Sequence, residues 1–162
     1  MRTWYLIVRM ALFVTLGGSG PPTDSAASMI KISLEQLTTR ADTIVVGTVT
    51  NQVSTWNSQR TAIHTNVTVG VETVVKGPAR QEVSFQIAGG TVGGTTMRTS
   101  NDPVFQNGER VIVFLNTAAT PASIVGLHQG KYSIKNETVI RDGQTFTIDD
   151  FLNVLRGYLI RR

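Results

Sequence analysis

The longest run of alternating apolar and polar residues covers positions 63–75. Its odd positions are mostly valine, isoleucine or threonine, and its even positions are mostly polar. This period of two predicts a β-strand with one buried face, and the strand is unusually long. Such a strand must coil to stay on a core, and Gly70 is the natural position for a bend or bulge. Gly77-Pro78 is expected to end it.

Shorter β-rich segments separated by turn residues extend this pattern. Gly47 lies inside one of them, where glycine indicates a sharp bend or a close approach of two backbones. Asn107-Gly108 is a tight-turn signal before another. The predicted strands are 43–49, 63–75, 82–87, 110–115, 123–127, 131–134 and 138–140, and the predicted loops are 51–60, 88–104 and 116–122. The fold class is therefore mainly β, a small coiled antiparallel β-barrel. The predicted core residues are Val67, Val69, Val71, Val83, Phe85, Val111 and Val113.

Two helices are predicted at the ends of this β region. Ser33-Leu-Glu-Gln36 has the form of a capping box, which predicts a short helix over 33–40. Thr147 followed by Asp149 and Asp150 predicts the N-terminus of a helix over 147–161, because acidic residues are favoured there. The second helix carries an apolar stripe suited to packing on a core.

Residues 1–27 have the composition of a signal peptide. Arg2 and Arg9 give a positively charged n-region, residues 10–16 form an apolar region widened by residues 5–8, and Ser25-Ala26-Ala27 supplies small residues before a cleavage site after Ala27. We expect a secreted, periplasmic or cell-envelope protein, with residues 28–162 forming one domain and no stable membrane span after cleavage. The alternative is that the segment stays uncut and serves as an anchor.

Composition excludes several classes of function. The chain has no cysteine, so it has neither disulfides nor thiol chemistry nor cysteine-ligated zinc. Removing Arg2, Arg9 and Asp24 with the leader from 15 basic and 11 acidic residues leaves 13 against 10, a net charge of +3. The basic residues are scattered, whereas nucleic-acid binders cluster them. No nucleic-acid partner is therefore expected.

Neither a catalytic motif nor a metal motif is present. His64 and His128 are the two histidines, and neither has a second ligand at metal spacing. No nucleophile elbow of the Gly-x-Ser-x-Gly form occurs. The glycine-rich stretch 89–94 is not followed by the Lys-Ser/Thr of a phosphate-binding loop. We therefore predict a protein that is not an enzyme and has no catalytic residue, cofactor or metal.

Several segments resemble, in order and spacing, the netrin-like module, the OB-type barrel of the tissue inhibitors of metalloproteinases. They are Ala41–Val49, the long strand with its Lys76-Gly-Pro78 end, Val83–Ile87 and Glu109–Phe114, and the likeness covers about 41–135. The chain is also similar to secreted bacterial proteins built on such a domain, some of which carry it before a zinc protease. The resemblance implies an OB-type barrel. The inhibitors chelate zinc through an N-terminal cysteine, which this chain lacks.

The leading functional hypothesis is a monomeric secreted binding module whose partner is an extracellular or envelope protein, such as a protease. The alternatives are an inhibitor or accessory domain of a secreted metalloprotease, and an OB-fold that binds an oligosaccharide or single-stranded nucleic acid. Candidate ligand-binding residues are Trp56, Phe105 and His128. Trp56 is chosen as an aromatic anchor in a polar segment.

Overall fold

A computed structural model describes residues 30–161. Over these residues the protein is mainly β, with a short helix before the strands and a longer helix after them. The predicted signal peptide, residues 1–27, lies outside the described residues. Within 30–161, no helix is long and apolar enough to cross a membrane.

The elements follow one another along the chain with short connections, except for the segment 98–109 between β5 and β6. The helices are α1 (Leu34–Arg40) and α2 (Ile148–Ile160), and a 3-10 helix covers Leu127–Gly130. The strands are β1 (Thr43–Trp56), β2 (Ile63–Lys76), β3 (Glu82–Ala88), β4 (Gly90–Val92), β5 (Thr95–Met97), β6 (Arg110–Asn116), β7 (Ser123–Ile124), β8 (Lys131–Lys135), β9 (Thr138–Arg141) and β10 (Gln144–Thr147).

Strand β1 is twice as long as the sequence pattern predicts. The expected strand 43–49 continues to Trp56, so the expected loop 51–60 is mostly strand. Trp56 pairs with Ile63 at the first residue of β2. Apart from the half-buried Trp56, the outer half of β1 is polar or exposed and therefore shows no alternation of buried apolar residues. The long partner strand β2 supplies the hydrogen bonds that keep this half extended.

Three further segments differ from the prediction. The expected loop 88–104 contains a hairpin of β4 and β5, whose turn residues Gly93 and Gly94 both have positive φ, as a two-residue hairpin requires. The predicted strand 123–127 is shorter than expected, because only Ser123–Ile124 (β7) is extended and the 3-10 helix begins at Leu127. Strand β10 was not predicted, because it is too short and polar to show alternation.

The main sheet has a cyclic set of pairings. Strand β1 pairs with β2, β2 with β3, β3 with β7, β7 with β6, and β6 again with β1. Four of these pairings are antiparallel as expected, and β3–β7 is parallel. Strands β8, β9 and β10 extend the sheet from β6.

Gly47 and Gly70 meet where β1 and β2 cross most closely. An ideal Cβ on Gly47 would lie 2.2 Å from the Gly70 carbonyl oxygen, so the two backbones are in contact. Gly70 itself pairs regularly with Thr48, and register shifts lie on either side of it along the two strands. The predicted irregularity is therefore near Gly70, and the predicted close approach at Gly47 is confirmed.

The core has two clusters. One lies between β2, β3 and β6, and the other between the sheet and the two helices. Six of the seven predicted core residues are buried. The exception is Val71, which is half-buried and lies beyond the last residue pair of β2 and β3, Gly70 with Glu82.

The helix caps follow the sequence prediction. The Gln36 amide donates to Ser33 Oγ at 3.1 Å, and the Ser33 amide donates to Gln36 Oε1 at 3.0 Å, which completes the capping box. In α2, the Asp150 amide donates to Thr147 Oγ1 at 3.1 Å. Lys76 Nζ donates to carbonyl oxygens at the C-terminal end of α1, where a cation is favoured.

Asp42 ties the start of β1 to the turn after β6. Its carboxylate accepts hydrogen bonds from the Thr117 amide and hydroxyl, at 2.9 and 2.8 Å, and from the Ala118 amide at 2.8 Å. Burial raises the pKa of Asp42, but these hydrogen bonds stabilise the anion more strongly and lower the pKa from 3.8 to about 2. The charged form of Asp42 therefore stabilises the folded protein.

We expect Asp42→Asn to lower the free energy of unfolding by about 2 kcal/mol at neutral pH. Because the folded pKa is depressed, this contribution is present above the unfolded value of 3.8 and is lost as the pH falls through about 2. Urea unfolding of both proteins at a series of pH values tests this. A stability difference that stays constant down to about pH 2 would contradict it.

Candidate functional site

A cavity of about 410 Å³ lies where the outer ends of β1, β2 and β3 meet the β4–β5 hairpin and the segment 98–105. Hydroxyl side chains are the commonest polar groups of its lining, so we name it the hydroxyl groove. It is lined by Gln52, Ser54, Thr65, Ile87, Ala88, Gly89, Gly90, Thr91, Thr96, Met97, Arg98, Thr99, Ser100, Asp102, Pro103, Val104 and Phe105.

The floor of the groove is a pair of hydroxyl groups. Ser54 and Thr65 are direct partners on β1 and β2, and their oxygens are 2.8 Å apart. The Thr65 hydroxyl is also within 2.7 Å of the Gly89 carbonyl oxygen, to which it donates. An ideal Cβ on Gly90 would lie 2.3 Å from Thr65 Oγ1. Glycine is therefore needed where the hairpin crosses this floor.

The floor continues the buried face of the sheet outward. Gln52, Ser54 and Trp56 alternate along β1 and share one face, since successive strand residues point to opposite faces. The partners of the first two are Val67 in the core and Thr65 in the groove. From residue 52 to residue 56 of β1, this face therefore changes from the apolar core to the hydroxyl floor and then to the half-buried ring of Trp56.

The segment 98–105 forms one wall of the groove. Phe105 is 5% exposed, and its ring packs edge-on against Phe85 with centroids 5.4 Å apart. The neighbouring Val104 is 67% exposed. Lys131 holds this wall from behind, because its Nζ donates to the Val104 carbonyl oxygen and lies 4.6 Å from the centroid of the Phe105 ring.

A small ion-pair cluster fixes Lys131 in this position. Its Nζ lies 2.7 Å from Glu109 Oε1, and the Ser133 hydroxyl donates to the same carboxylate at 2.5 Å. Burial raises the pKa of Glu109, but the hydrogen bonds from Lys131 and Ser133 and the charge of Lys131 lower it overall. Glu109 therefore stays ionised and keeps Lys131 against the wall.

His128 reaches the same wall from another direction. Its backbone amide donates to the Asn101 carbonyl oxygen at 3.0 Å, and its ring Nδ1 lies 3.2 Å from that oxygen. The imidazole lines a second cavity, of about 460 Å³, rather than the groove.

The three predicted ligand-binding residues thus have different positions. Phe105 is in the groove wall, with most of its ring in the core. Trp56 follows the groove floor on the same face of β1. His128 supports the wall from behind. Phe105 belongs to the segment 98–105, and His128 contacts the same segment at Asn101. Trp56 lies apart from both, at the outer end of the groove floor.

No group of three or more His, Asp or Glu side chains suited to a metal ion occurs among residues 30–161. Comparison of the chain with protein-family models, with curated proteins and with solved structures gave no match.

Sequence reasoning did not identify Ser54 and Thr65 as site residues. One usable signal was present, since Thr65 interrupts a row of apolar residues on the inward face of β2. Its partner Ser54 lies in the half of β1 for which the sequence predicts a loop. The contribution of the hairpin depends on tertiary contacts of Gly89 and Gly90, which no local pattern reveals.

We expect Thr65→Val to destabilise the protein by about 1–3 kcal/mol, because it leaves the buried Gly89 carbonyl without its hydroxyl donor while keeping the side-chain shape. Chemical denaturation measures the change. Thr68→Val on the same strand is the control, since Thr68 contacts the exposed Ser84 hydroxyl at 3.0 Å instead of a buried carbonyl. Equal losses in the two variants would contradict a special role for Thr65.

Proposed function

We propose that this protein is a secreted, non-enzymatic OB-type β-barrel module that binds an extended segment of a partner protein in the hydroxyl groove. The cyclic pairing of β1, β2, β3, β7 and β6 supports the barrel, because a five-stranded closed sheet requires such a cycle. A netrin-like relationship remains part of this proposal, and it rests on the residues that carry the resemblance.

The observation that carries the binding proposal is the mixed lining of the groove. Its hydroxyls and backbone carbonyls can exchange hydrogen bonds with a peptide backbone. The side chains of Ile87, Met97 and Val104 offer apolar contacts beside them. Ligand sites commonly combine an apolar surface with a few placed polar groups. At about 410 Å³, the groove has room for a few residues of an extended chain.

The aromatic residues favour a peptide over a glycan or a single-stranded nucleic acid. Those ligands stack on exposed aromatic faces. Phe85 and Phe105 are buried, and the ring of Trp56 lies beyond the groove floor instead of lining it. The charged lining residues, Arg98 and Asp102, have opposite signs, so the groove is also not a basic channel. Trp56 would contact the part of the partner that leaves the groove.

Secretion is the part of the proposal that rests on the leader. Cleavage after Ala27 would leave Ser28 as the first residue of the exported protein. N-terminal sequencing of material recovered outside the cytoplasm tests this directly. Recovery of Met1 there would show that the leader is kept.

Selection of a displayed random-peptide library on the protein tests groove binding without a known partner. We expect the selected peptides to lose at least about tenfold in affinity on Val104→Asp, since this change places a charge in the groove wall. The matched control is Val53→Asp. Val53 is also exposed, but it lies between Gln52 and Ser54 on the opposite face of β1.

The proposal predicts that Val53→Asp leaves the affinity unchanged. Peptides that lose affinity equally in both variants, or in neither, would show that they do not bind in the groove. A library that yields no binder at all, while folding of the protein is confirmed, would contradict the proposal.

A further inference from the structure

The second cavity lies behind the wall of the hydroxyl groove, shares no lining residue with it and carries an excess of positive charge. Lys31, Lys131 and Arg141 line it together with the single carboxylate of Asp142. Glu109, outside the lining, pairs with Lys131. The cavity therefore remains net positive when Glu109 is counted. We name it the basic cleft.

Arg141 is the fixed element of the basic cleft. Its guanidinium donates to Asp142 Oδ2 at 3.2 Å, to the Tyr132 hydroxyl at 2.6 Å and to the Ile32 carbonyl oxygen at 3.3 Å. Its side chain is 14% exposed, so these contacts hold it mostly buried in the wall of the cleft. A guanidinium held in one orientation is well suited to recognise a carboxylate.

Lys31 and Asp142 complete the polar end of the cleft. Lys31 Nζ lies 2.8 Å from Asp142 Oδ1, and its side chain is 70% exposed. The hydrogen bond from Lys31 has the largest effect on the pKa of Asp142 and lowers it; desolvation opposes this, and the charges of Lys31 and Arg141 lower the pKa further. One carboxylate thus already bridges these two cations. Asp142 carries one negative charge, and Lys31 and Arg141 together carry two positive charges. A second carboxylate, from a ligand, would balance the remaining positive charge.

The other two basic groups of the cleft are already engaged. Lys131 is held by Glu109 and by the Val104 carbonyl oxygen, and the ring of His128 contacts the Asn101 carbonyl oxygen. Lys31, with 70% of its side chain exposed, is the cation that an incoming anion would meet first. Arg141 is also engaged, but three of the five N–H donors of its guanidinium are used, which leaves two for a ligand.

The remaining lining is mixed, with polar groups on Gln129 and Tyr132 and apolar side chains at Ile32 and Ile140. Ile140 is 68% exposed although it lies on strand β9, and Ile32 lies in the same cleft. A large exposed isoleucine beside a cationic pair favours a ligand that carries an aliphatic portion next to its charge.

We propose that the basic cleft binds an aliphatic carboxylate, with the carboxylate at Arg141 and Lys31 and the chain against Ile32 and Ile140. The chemistry is shared by two sources, a free medium-chain carboxylic acid and the C-terminus of a peptide that ends in leucine or a similar residue. The site has its own lining residues, although Lys131 and His128 also contact the wall of the hydroxyl groove.

Titration of the isotope-labelled protein, followed by two-dimensional amide NMR, tests this site. The two probes are octanoate and acetyl-trileucine with a free C-terminus. Their controls are octanamide and the C-terminal amide of the same peptide. We expect saturable shifts at the amides of Tyr132 and residues 140–142 with at least one acid, and none with the uncharged controls. The acid that binds more tightly identifies the source.

Two variants test the assignment of residues. Arg141→Gln is expected to weaken binding about tenfold, because a charge-assisted hydrogen bond is lost. Since Arg141 also holds Ile32 and Tyr132, the exposed Lys31→Gln is the second variant, with an expected loss of about threefold. Lys135→Gln, at an exposed lysine outside the cleft lining, should bind as the unmodified protein does.

Three results would overturn the proposal. The first is no saturable shift with either acid. The second is equal binding of the acids and their uncharged controls, which would indicate apolar contact alone. The third is unchanged acid binding in Lys31→Gln and in a folded Arg141→Gln.

Discussion

Replacing Gly47 with alanine is expected to destabilise the protein by about 3 kcal/mol or more. A Cβ at this position would lie 2.2 Å from the Gly70 carbonyl oxygen and 2.8 Å from Val69 Cγ1. The nearest atom belongs to the backbone of the paired strand, so the clash cannot be relieved by a side-chain rotation. Strands β1 and β2 would have to separate where β1 also pairs with β6.

Gly157→Ala is the matched control for this prediction. Gly157 lies in helix α2, and an added Cβ there would have no atom of its surroundings within 4 Å. Alanine is favoured over glycine in a helix by about 1 kcal/mol, so this variant should be slightly more stable. Urea unfolding of both variants measures the difference. A Gly47→Ala protein as stable as Gly157→Ala would show that β1 and β2 do not approach as described.

Replacing Phe85 with alanine should lower the free energy of unfolding by about 3–5 kcal/mol through loss of apolar burial and formation of a cavity. Phe85 is buried in the cluster between β2, β3 and β6, and it pairs across the strands with Val67. Its ring also supports Phe105 in the wall of the groove. The substitution therefore affects both the core and the shape of the candidate site.

Val53→Ala is the control for Phe85→Ala, because Val53 is exposed on β1 and its truncation should change stability by less than about 0.5 kcal/mol. A double-mutant cycle with Phe105→Ala should give a coupling of about 0.5–1.5 kcal/mol, the range measured for aromatic pairs. Additive effects of the two alanine substitutions would contradict direct packing of the rings.

The strands and helices that could be predicted are those whose own residues show a recognisable pattern, either alternation or a helix cap. Alternation over 63–75 predicts β2 almost to its ends, and the capping residues Ser33 and Thr147 predict both helices. The outer half of β1 carries no such signal, since its side chains are polar on one face and exposed on the other. This half of β1 is extended because it pairs with β2. The strand therefore depends on pairing between two segments, and neither segment alone specifies it.

The site was less predictable than the fold for the same reason. Phe105 is a candidate aromatic platform for a ligand by sequence, yet packing against Phe85 leaves little of its ring on the surface. Ser54 and Thr65 are ordinary strand residues until pairing places their hydroxyls 2.8 Å apart beneath Gly90. A groove made by a hairpin crossing two strands depends on contacts that no single segment specifies.

Site-specific photo-crosslinking in the source organism is the most direct test of partner binding in the groove. A benzophenone amino acid is introduced at Thr96, which is exposed in the groove, and separately at Thr55, which is exposed on the other face of β1. We predict a discrete protein adduct from position 96, with the crosslink mapped to one short segment of the partner, and no such adduct from position 55. Failure to obtain an adduct at position 96, or the same adduct from both positions, would contradict binding of a partner segment in the hydroxyl groove.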